Sequence, residues 1–215
     1  MGLMEAIKVN NNYAVVIDNW YTSQEYEAIF NECRFIVDYG RDPSDQHAGS
    51  AKSPNGTLLK NNRSIFIDDL FREWNKSVIN SLSYKKYNEE FINQLVTIDP
   101  IYSALFDTNQ HSCLVSYYED SGYYKPHYDT AAFTLLTWVY DDPKSFTGGD
   151  LYLRPHRDKS IIEANIECIS NRAVIFPSYM LHEVTQINME SQYRNQKKGR
   201  FTISQFSHLG MANKG

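Results

Sequence analysis

The sequence predicts an α+β fold, with helices first and a jelly roll or barrel of short strands after them. Three observations carry that reading. Sixteen Tyr and eleven Phe in 215 residues supply the aromatic side chains that suit a half-buried pleated surface. Before residue 112, apolar residues recur at helical spacing in several segments. From Ser112 onward, eight short apolar or alternating runs follow one another between turn residues, so helices precede a β core. The length suits one domain over 1–215: a helical support region at 1–111 with a long loop at 38–62, then a β core at 112–209.

Taken in order, residues 13–18 read as a strand. Thr22 and Glu25 have the spacing of a capping box, so a helix is expected to follow to Val37, with Tyr26, Ile29, Phe30 and Cys33 on one face. The 38–62 stretch is rich in Gly, Pro, Ser, Asn and Asp, and loops this long in folded domains often serve as lids. A short strand is expected at 64–67, then a helix capped by Asp68 or Asp69 and running to Leu82, a helix from Glu89 to Thr97, and a short one from Pro100 to Phe106. The β core is expected to comprise strands at 112–118, 126–129, 132–140, 150–153, 161–168, 172–176, 181–187 and 200–207.

Composition narrows the function. A net charge of −5 argues against a general nucleic-acid binder, and the one basic cluster, Lys197-Lys198-Gly199-Arg200, reads as a solvated turn for its two lysines. Cys33, Cys113 and Cys168 form no CxxC, so neither a disulfide framework nor a zinc site is expected. The N-terminus lacks a basic-then-apolar signal pattern, and no run of 18 apolar residues occurs. A soluble, cytoplasmic protein with no membrane and no nucleic-acid partner is the expectation, and oligomeric state is left open.

The chemistry starts at Tyr123-Tyr124-Lys125-Pro126-His127-Tyr128-Asp129. If the strand continues through this segment, its period of two puts His127 and Asp129 on one face. His-x-Asp alone is weak, and a second copy at His156-Arg157-Asp158 sits among Arg, Pro and Lys as an exposed turn. His182, among the apolar neighbours Met180, Leu181 and Val184, would by itself pass for a satisfied core histidine. In company with His127 and Asp129 it completes two imidazoles and a carboxylate, the facial set of non-haem Fe(II) oxygenases. In Arg200-Phe201-Thr202-Ile203-Ser204-Gln205-Phe206, strict alternation puts Arg200, Thr202 and Ser204 on one face. An inward arginine calls for an anion, which a dicarboxylate supplies.

With these residues in place, the region from 112 to 207 resembles the 2-oxoglutarate/Fe(II) dioxygenase superfamily, in particular its prolyl 4-hydroxylase-like branch. The string that carries the resemblance is Tyr118, Gly122, Tyr124-Lys125-Pro126-His127-Tyr128-Asp129, Phe133-Thr134-Leu135-Leu136, Gly148-Gly149-Asp150-Leu151, Ala173-Val174-Ile175-Phe176-Pro177-Ser178, His182 and Arg200. The resemblance implies a double-stranded β-helix with N-terminal supporting helices. It implies Fe(II) on His127, Asp129 and His182, and 2-oxoglutarate held by Arg200 with Tyr118 and Thr202. It also implies O2 as the oxidant, ascorbate as an accessory reductant, and hydroxylation of a C–H bond with release of succinate and CO2. The expected partner is a protein, peptide or small-molecule substrate, a prolyl or other protein side chain first. Tyr124, Tyr128, Trp138 and Tyr179 are expected on the substrate side. In prolyl 4-hydroxylases the residue at Arg200 is usually Lys, so this chain departs toward other branches. Arg200 also follows His182 by 18 residues, a longer interval than the family's usual one, and the excess at Met189–Lys198 reads as an extended hairpin loop. Two other readings stand beside this one: a non-catalytic jelly-roll module, and a cupin-like enzyme of another divalent metal.

Overall fold

Alternation decides which side of the sheet each residue serves, and the last strand shows it most plainly. In the computed structural model, Phe201 and Ile203 point into a core shared with the helices, while Arg200, Thr202, Ser204 and Phe206 line a cavity on the opposite face. The structure describes residues 3–43, 52–53, 55–155, 158 and 160–210. The middle of the 38–62 loop, with the lid expected there, and His156 and Arg157 lie outside the described residues.

The chain begins with a hairpin of β1 (Met4–Val9) and β2 (Asn12–Ile17). Helix α1 (Ser23–Ile36) follows. Its N-terminus is the expected capping box: Thr22 accepts from the Glu25 backbone N–H at 3.3 Å, and Glu25 accepts from the Thr22 N–H at 2.8 Å. Next come β3 (Lys60–Asn61) and β4 (Arg63–Phe66). The helix expected from Asp68 or Asp69 to Leu82 is broken up instead. Residues Ile67–Asp69 and Trp74–Lys76 form 3-10 turns, and α2 is only Val78–Ser83. Ser77 restarts the helix by accepting from the Asn80 N–H at 3.1 Å, whereas the turn at Ile67–Asp69 has no side-chain cap. Helix α3 (Glu89–Ile98) begins at the Asn88 cap, and Pro100 opens a 3-10 segment to Asp107.

The β core comprises β5 (Gln110–Tyr118), β6 (Tyr123–His127), β7 (Phe133–Val139), β8 (Phe146–Thr147), β9 (Leu151–Arg154), β10 (Ala164–Ile166), β11 (Ala173–Pro177), β12 (Leu181–Val184), β13 (Asn188–Met189) and β14 (Arg200–His208). All eight expected strands are present, several shifted or shortened at their ends. The strands at 161–168 and 181–187 shrink to β10 and β12. A two-residue ladder between β8 and β13 is additional. The Met189–Lys198 segment carries a 3-10 turn at Ser191–Tyr193 and is pinned at its far end. There Lys197 donates to Asp38 at 2.6 Å and Lys198 lies 2.8 Å from Asp141, so the lysines expected to be solvated are ion-paired.

The strands build a seven-stranded sheet in the order β1-β2-β11-β7-β14-β5-β4 and a five-stranded sheet in the order β10-β9-β12-β6-β3. The N-terminal region is thus not only a helical support, since β1, β2 and β4 extend the large sheet on both sides. One core lies between the helices and the large sheet: Ile29, Cys33, Phe91 and Leu95 meet Val115, Leu135, Phe201 and Ile203. The other lies between the sheets, where Leu136, Trp138 and Phe176 meet Leu151, Leu153 and Val184. This is the predicted double-stranded β-helix with supporting helices. Among the described residues, no helix is long and apolar enough to cross a membrane.

Candidate active site

His127 ends β6, and His182 stands directly opposite it on β12 as its cross-strand partner. Each imidazole is fixed by its own backbone. His127 donates from Nδ1 to the Lys125 carbonyl at 2.8 Å, and His182 from Nδ1 to the Met180 carbonyl at 2.9 Å. Both rings therefore turn Nε2, with its lone pair, toward the same point. Tyr124 stacks on His127 with centroids 3.4 Å apart, and Phe176 packs edge-on to His182 at 4.9 Å. The rings have little freedom left.

Asp129 reaches the same point by a different route from the one expected. β6 ends at His127, so Asp129 is not a strand residue with period-two placement. The chain leaves the sheet, and the Asp129 N–H donates to the Ser178 carbonyl at 3.1 Å. The Thr134 hydroxyl, on β7, donates to Asp129 Oδ2 at 2.8 Å and is itself 2.8 Å from the Ser178 hydroxyl. Asp129 Oδ2 is then 3.4 Å from His182 Nε2, and Oδ1 is 3.8 Å from His127 Nε2. One ligand atom from each of the three residues lies within 4.8 Å of the others, a spacing that a single metal ion fits.

The electrostatics suit a cation. Burial pushes the Asp129 carboxyl up, but the two imidazoles and the Thr134 hydroxyl outweigh it and hold it down at about 2. Burial, reinforced by His182, pushes His127 down to about 3, so it stays neutral. For His182, burial is outweighed by the facing Asp129 carboxylate, and its pKa is raised. An ionised carboxylate beside neutral imidazole is the form that metal binding requires.

Arg200 opens β14 across the cavity, opposite Tyr118 in the ladder. It is fully buried, at 0 % exposure. Nη1 donates to the Gly149 carbonyl, whereas Nε and Nη2 have no hydrogen-bond partner. Its guanidinium lies 4.4 Å from the Tyr118 ring centroid and 5.9 Å from that of Trp138. Thr202 Oγ1 and Trp138 Nε1 are also buried without partners. Gly149 makes room for this arrangement: its φ of +79° suits glycine, and a Cβ there would stand 3.3 Å from Arg200 Cδ. Leaving so many donors orphaned costs several kcal/mol, which an anion bound between them would offset.

Triad and arginine line one cavity of about 330 Å³, together with Lys60, Phe66, Ser112, Tyr118, Tyr124, Tyr128, Trp138, Thr202, Ser204 and His208. Of the aromatics expected on the substrate side, Tyr124 and Tyr128 are here, and Trp138 lies at the arginine end. Tyr179 is not among the lining residues. It is 50 % exposed, and its hydroxyl donates to Asn12 at 2.6 Å. Thr134, Ser178 and Lys60 were not singled out in the sequence. Thr134 and Ser178 both sit within strings that carry the resemblance, but neither is a ligand type, so nothing there marks them for a role. Lys60 is hidden in a polar stretch without periodicity.

With the geometry established, residues 113–208 match the sequence model of the 2OG-Fe(II) oxygenase superfamily. No curated protein matches the chain in sequence. Among solved structures, a Pseudomonas putida prolyl-4-hydroxylase superposes with a TM-score of 0.59 at 12% identity, covering 92% of each chain. A Trichoplax adhaerens prolyl hydroxylase, in complex with a hypoxia inducible factor peptide fragment, gives 0.61 at 15% identity over 93% of this chain and 84% of its own. The viral collagen prolyl hydroxylase of Paramecium Bursaria Chlorella virus-1 gives 0.52 at 13% identity over 93% and 98%. At these identities the likeness speaks to the fold.

Proposed function

We propose that the chain is a member of the 2OG-Fe(II) oxygenase superfamily, whose sequence model residues 113–208 match, that His127, Asp129 and His182 hold its Fe(II), and that Arg200, with Thr202 and Tyr118, holds the distal carboxylate of 2-oxoglutarate. The protein is a 2-oxoglutarate-dependent dioxygenase, a hydroxylase of C–H bonds. Bound Fe(II), 2-oxoglutarate and O2 together supply the oxidative decarboxylation, to succinate and CO2, that drives the hydroxylation.

The observation that carries the residue assignment is the wholly buried Arg200, with Nε and Nη2 unpartnered, lining the same cavity as the triad. A guanidinium and a carboxylate make two parallel hydrogen bonds, and Arg200 has two nitrogens to give. A jelly-roll module without chemistry would gain nothing from that cost. In this reading Thr134 and Ser178 keep Asp129 turned inward, and the Lys125 and Met180 carbonyls keep both Nε2 atoms available. Tyr118 and Trp138 wall the arginine end and exclude water. Tyr124 and Tyr128 stand on the side where the substrate enters. A prolyl or other side chain of a protein or peptide is the substrate class we favour, in line with the three prolyl hydroxylases that share the fold.

The test is an anaerobic titration of the purified protein with Fe(II), then 2-oxoglutarate, followed by the weak visible charge-transfer band of a chelated oxoacid. The band should vanish in His182→Ala. In Arg200→Ala it should need about thirty-fold more 2-oxoglutarate or worse, the lower end for breaking a buried charge pair. A folded, iron-loaded protein that shows no band would sink the assignment.

A further inference from the structure

Lys60 is the cation in the cavity to which neither the metal nor the cosubstrate assigns a task. It opens β3, the edge strand of the small sheet, and pairs with Tyr124 of β6. Its side chain is buried, with 7 % of the residue exposed, and it lines the cavity that holds the triad. Its ammonium lies 5.4 Å from the Tyr124 ring centroid, and that ring stacks directly on His127. Among the described residues it has no ion-pair partner; burial lowers its ammonium to about 8, so it stays charged at neutral pH, and the Asp129 carboxylate works against that shift. Asp129 is already committed to the imidazoles and to Thr134.

A buried ammonium is costly unless an anion faces it. Charge balance sharpens the point. A divalent cation, the Asp129 carboxylate and a dicarboxylate cosubstrate leave one negative charge, and Arg200 cancels it. Lys60 then leaves a single uncompensated positive charge in a cavity largely withdrawn from solvent. Arg200 stands on the large sheet and Lys60 on the small one, so they approach the cavity from different layers.

We propose that Lys60 is a specificity-determining residue that selects substrates carrying a carboxylate, supplied by an acidic side chain of a peptide or by the free carboxylate of a small molecule. The proposal rests on the reading of the triad and Arg200 given above. Lys60 acts by supplying a desolvated positive charge beside Tyr124, on the substrate's side of the metal ligands. A neutral substrate would leave that charge uncovered and bind more weakly.

The experiment uses the full chain loaded anaerobically with Fe(II) and 2-oxoglutarate, and two probe pairs that differ only in charge. The first pair is Ac-Ala-Pro-Asp-NH2 and Ac-Ala-Pro-Asn-NH2; the second is N-acetyl-L-proline and N-acetyl-L-prolinamide. Binding is read from the change each probe makes in the visible band, with succinate release in air as a second readout. In the native protein the charged member of at least one pair should bind about thirty-fold tighter than its neutral twin, roughly 2 kcal/mol. Preference within the first pair identifies an acidic peptide, and preference within the second a free carboxylate. Lys60→Met, which keeps the stem and removes a buried charge, should abolish the preference, and Lys60→Arg should retain most of it. Affinity for 2-oxoglutarate should change by less than about two-fold in both variants, since Arg200 holds that ligand.

Equal binding within both pairs, no binding by either charged probe, or an undiminished preference in Lys60→Met overturns the proposal. A large loss of 2-oxoglutarate affinity in Lys60→Met also overturns it, by assigning Lys60 to the cosubstrate. The band itself reports on the triad and Arg200 before any probe is added, so failure of that reading is seen separately.

Discussion

Thr134 shows how much of the site rests on residues that never meet a ligand. Its hydroxyl donates to Asp129 and lies 2.8 Å from the Ser178 hydroxyl, and Thr134 and Ser178 are fully buried while Asp129 is partly so. Thr134→Val keeps the shape and removes that hydrogen bond. Metal affinity should fall by about ten- to hundred-fold, the range for partners that orient a ligand, while the far-UV circular dichroism spectrum stays unchanged. Titration with Fe(II) or Co(II) under nitrogen measures it, and unchanged affinity would mean that the Ser178 backbone contact alone holds Asp129. Gly149 is a second such residue. Gly149→Ala places a methyl group 3.3 Å from Arg200 Cδ on a backbone with φ of +79°. It should destabilise the fold by about 1–3 kcal/mol and raise the 2-oxoglutarate requirement in step, as a urea titration and a band titration would together reveal.

At the scale of elements, the helical layer is tied to the large sheet by a buried polar chain. Lys86 donates from Nζ to His111 Nδ1 at 2.9 Å. His111 Nε2 faces the Ser83 hydroxyl at 2.9 Å, and Ser83 donates to the Asn80 carbonyl at 2.6 Å. Burial lowers the Lys86 ammonium to about 7 and, with Lys86 beside it, the His111 imidazole to about 3. Folding therefore favours the uncharged lysine. Between pH 7 and 9 the unfolded chain carries that proton while the folded chain sheds it, so this group adds stability as pH rises. Relative to Lys86→Met, the urea midpoint of the native protein should climb from pH 7 to pH 9. A difference between the two proteins that is flat across that range would show Lys86 to be ionised in the fold.

The same elements mark how far the sequence could be read. The capping box of α1, the helix from Glu89 and all eight core strands were legible, because each rests on a local pattern that burial reinforces. The placement of Asp129 was not: its inward turn depends on Ser178, nearly fifty residues away, and not on strand period. The short α2 was missed because competing start signals lie within ten residues of one another. β1 was missed because its exposed residues, Glu5, Ala6 and Lys8, fall on both faces of an edge strand and leave no clean apolar alternation. Lys60 lies in a region without periodicity, where only tertiary pairing with β6 reveals its direction.

For the whole molecule, the triad is assembled on the small sheet and its margin, and Arg200 on the large one. A ligand that binds only the folded chain stabilises it by mass action. Saturating Fe(II) should raise the melting temperature, and 2-oxoglutarate should raise it further in the native protein but hardly at all in Arg200→Ala. Differential scanning fluorimetry under nitrogen reads both steps, and an equal second step in the variant would place the dicarboxylate elsewhere. The division of labour between sheets also has a consequence for how the protein breathes. A small molecule gripped from both layers acts as a rivet through the sandwich. Splaying the layers apart then requires ejecting it, so amide protons of β12 and β14, which belong to different sheets, should slow their exchange together when the rivet is in place and drift apart when it is withdrawn.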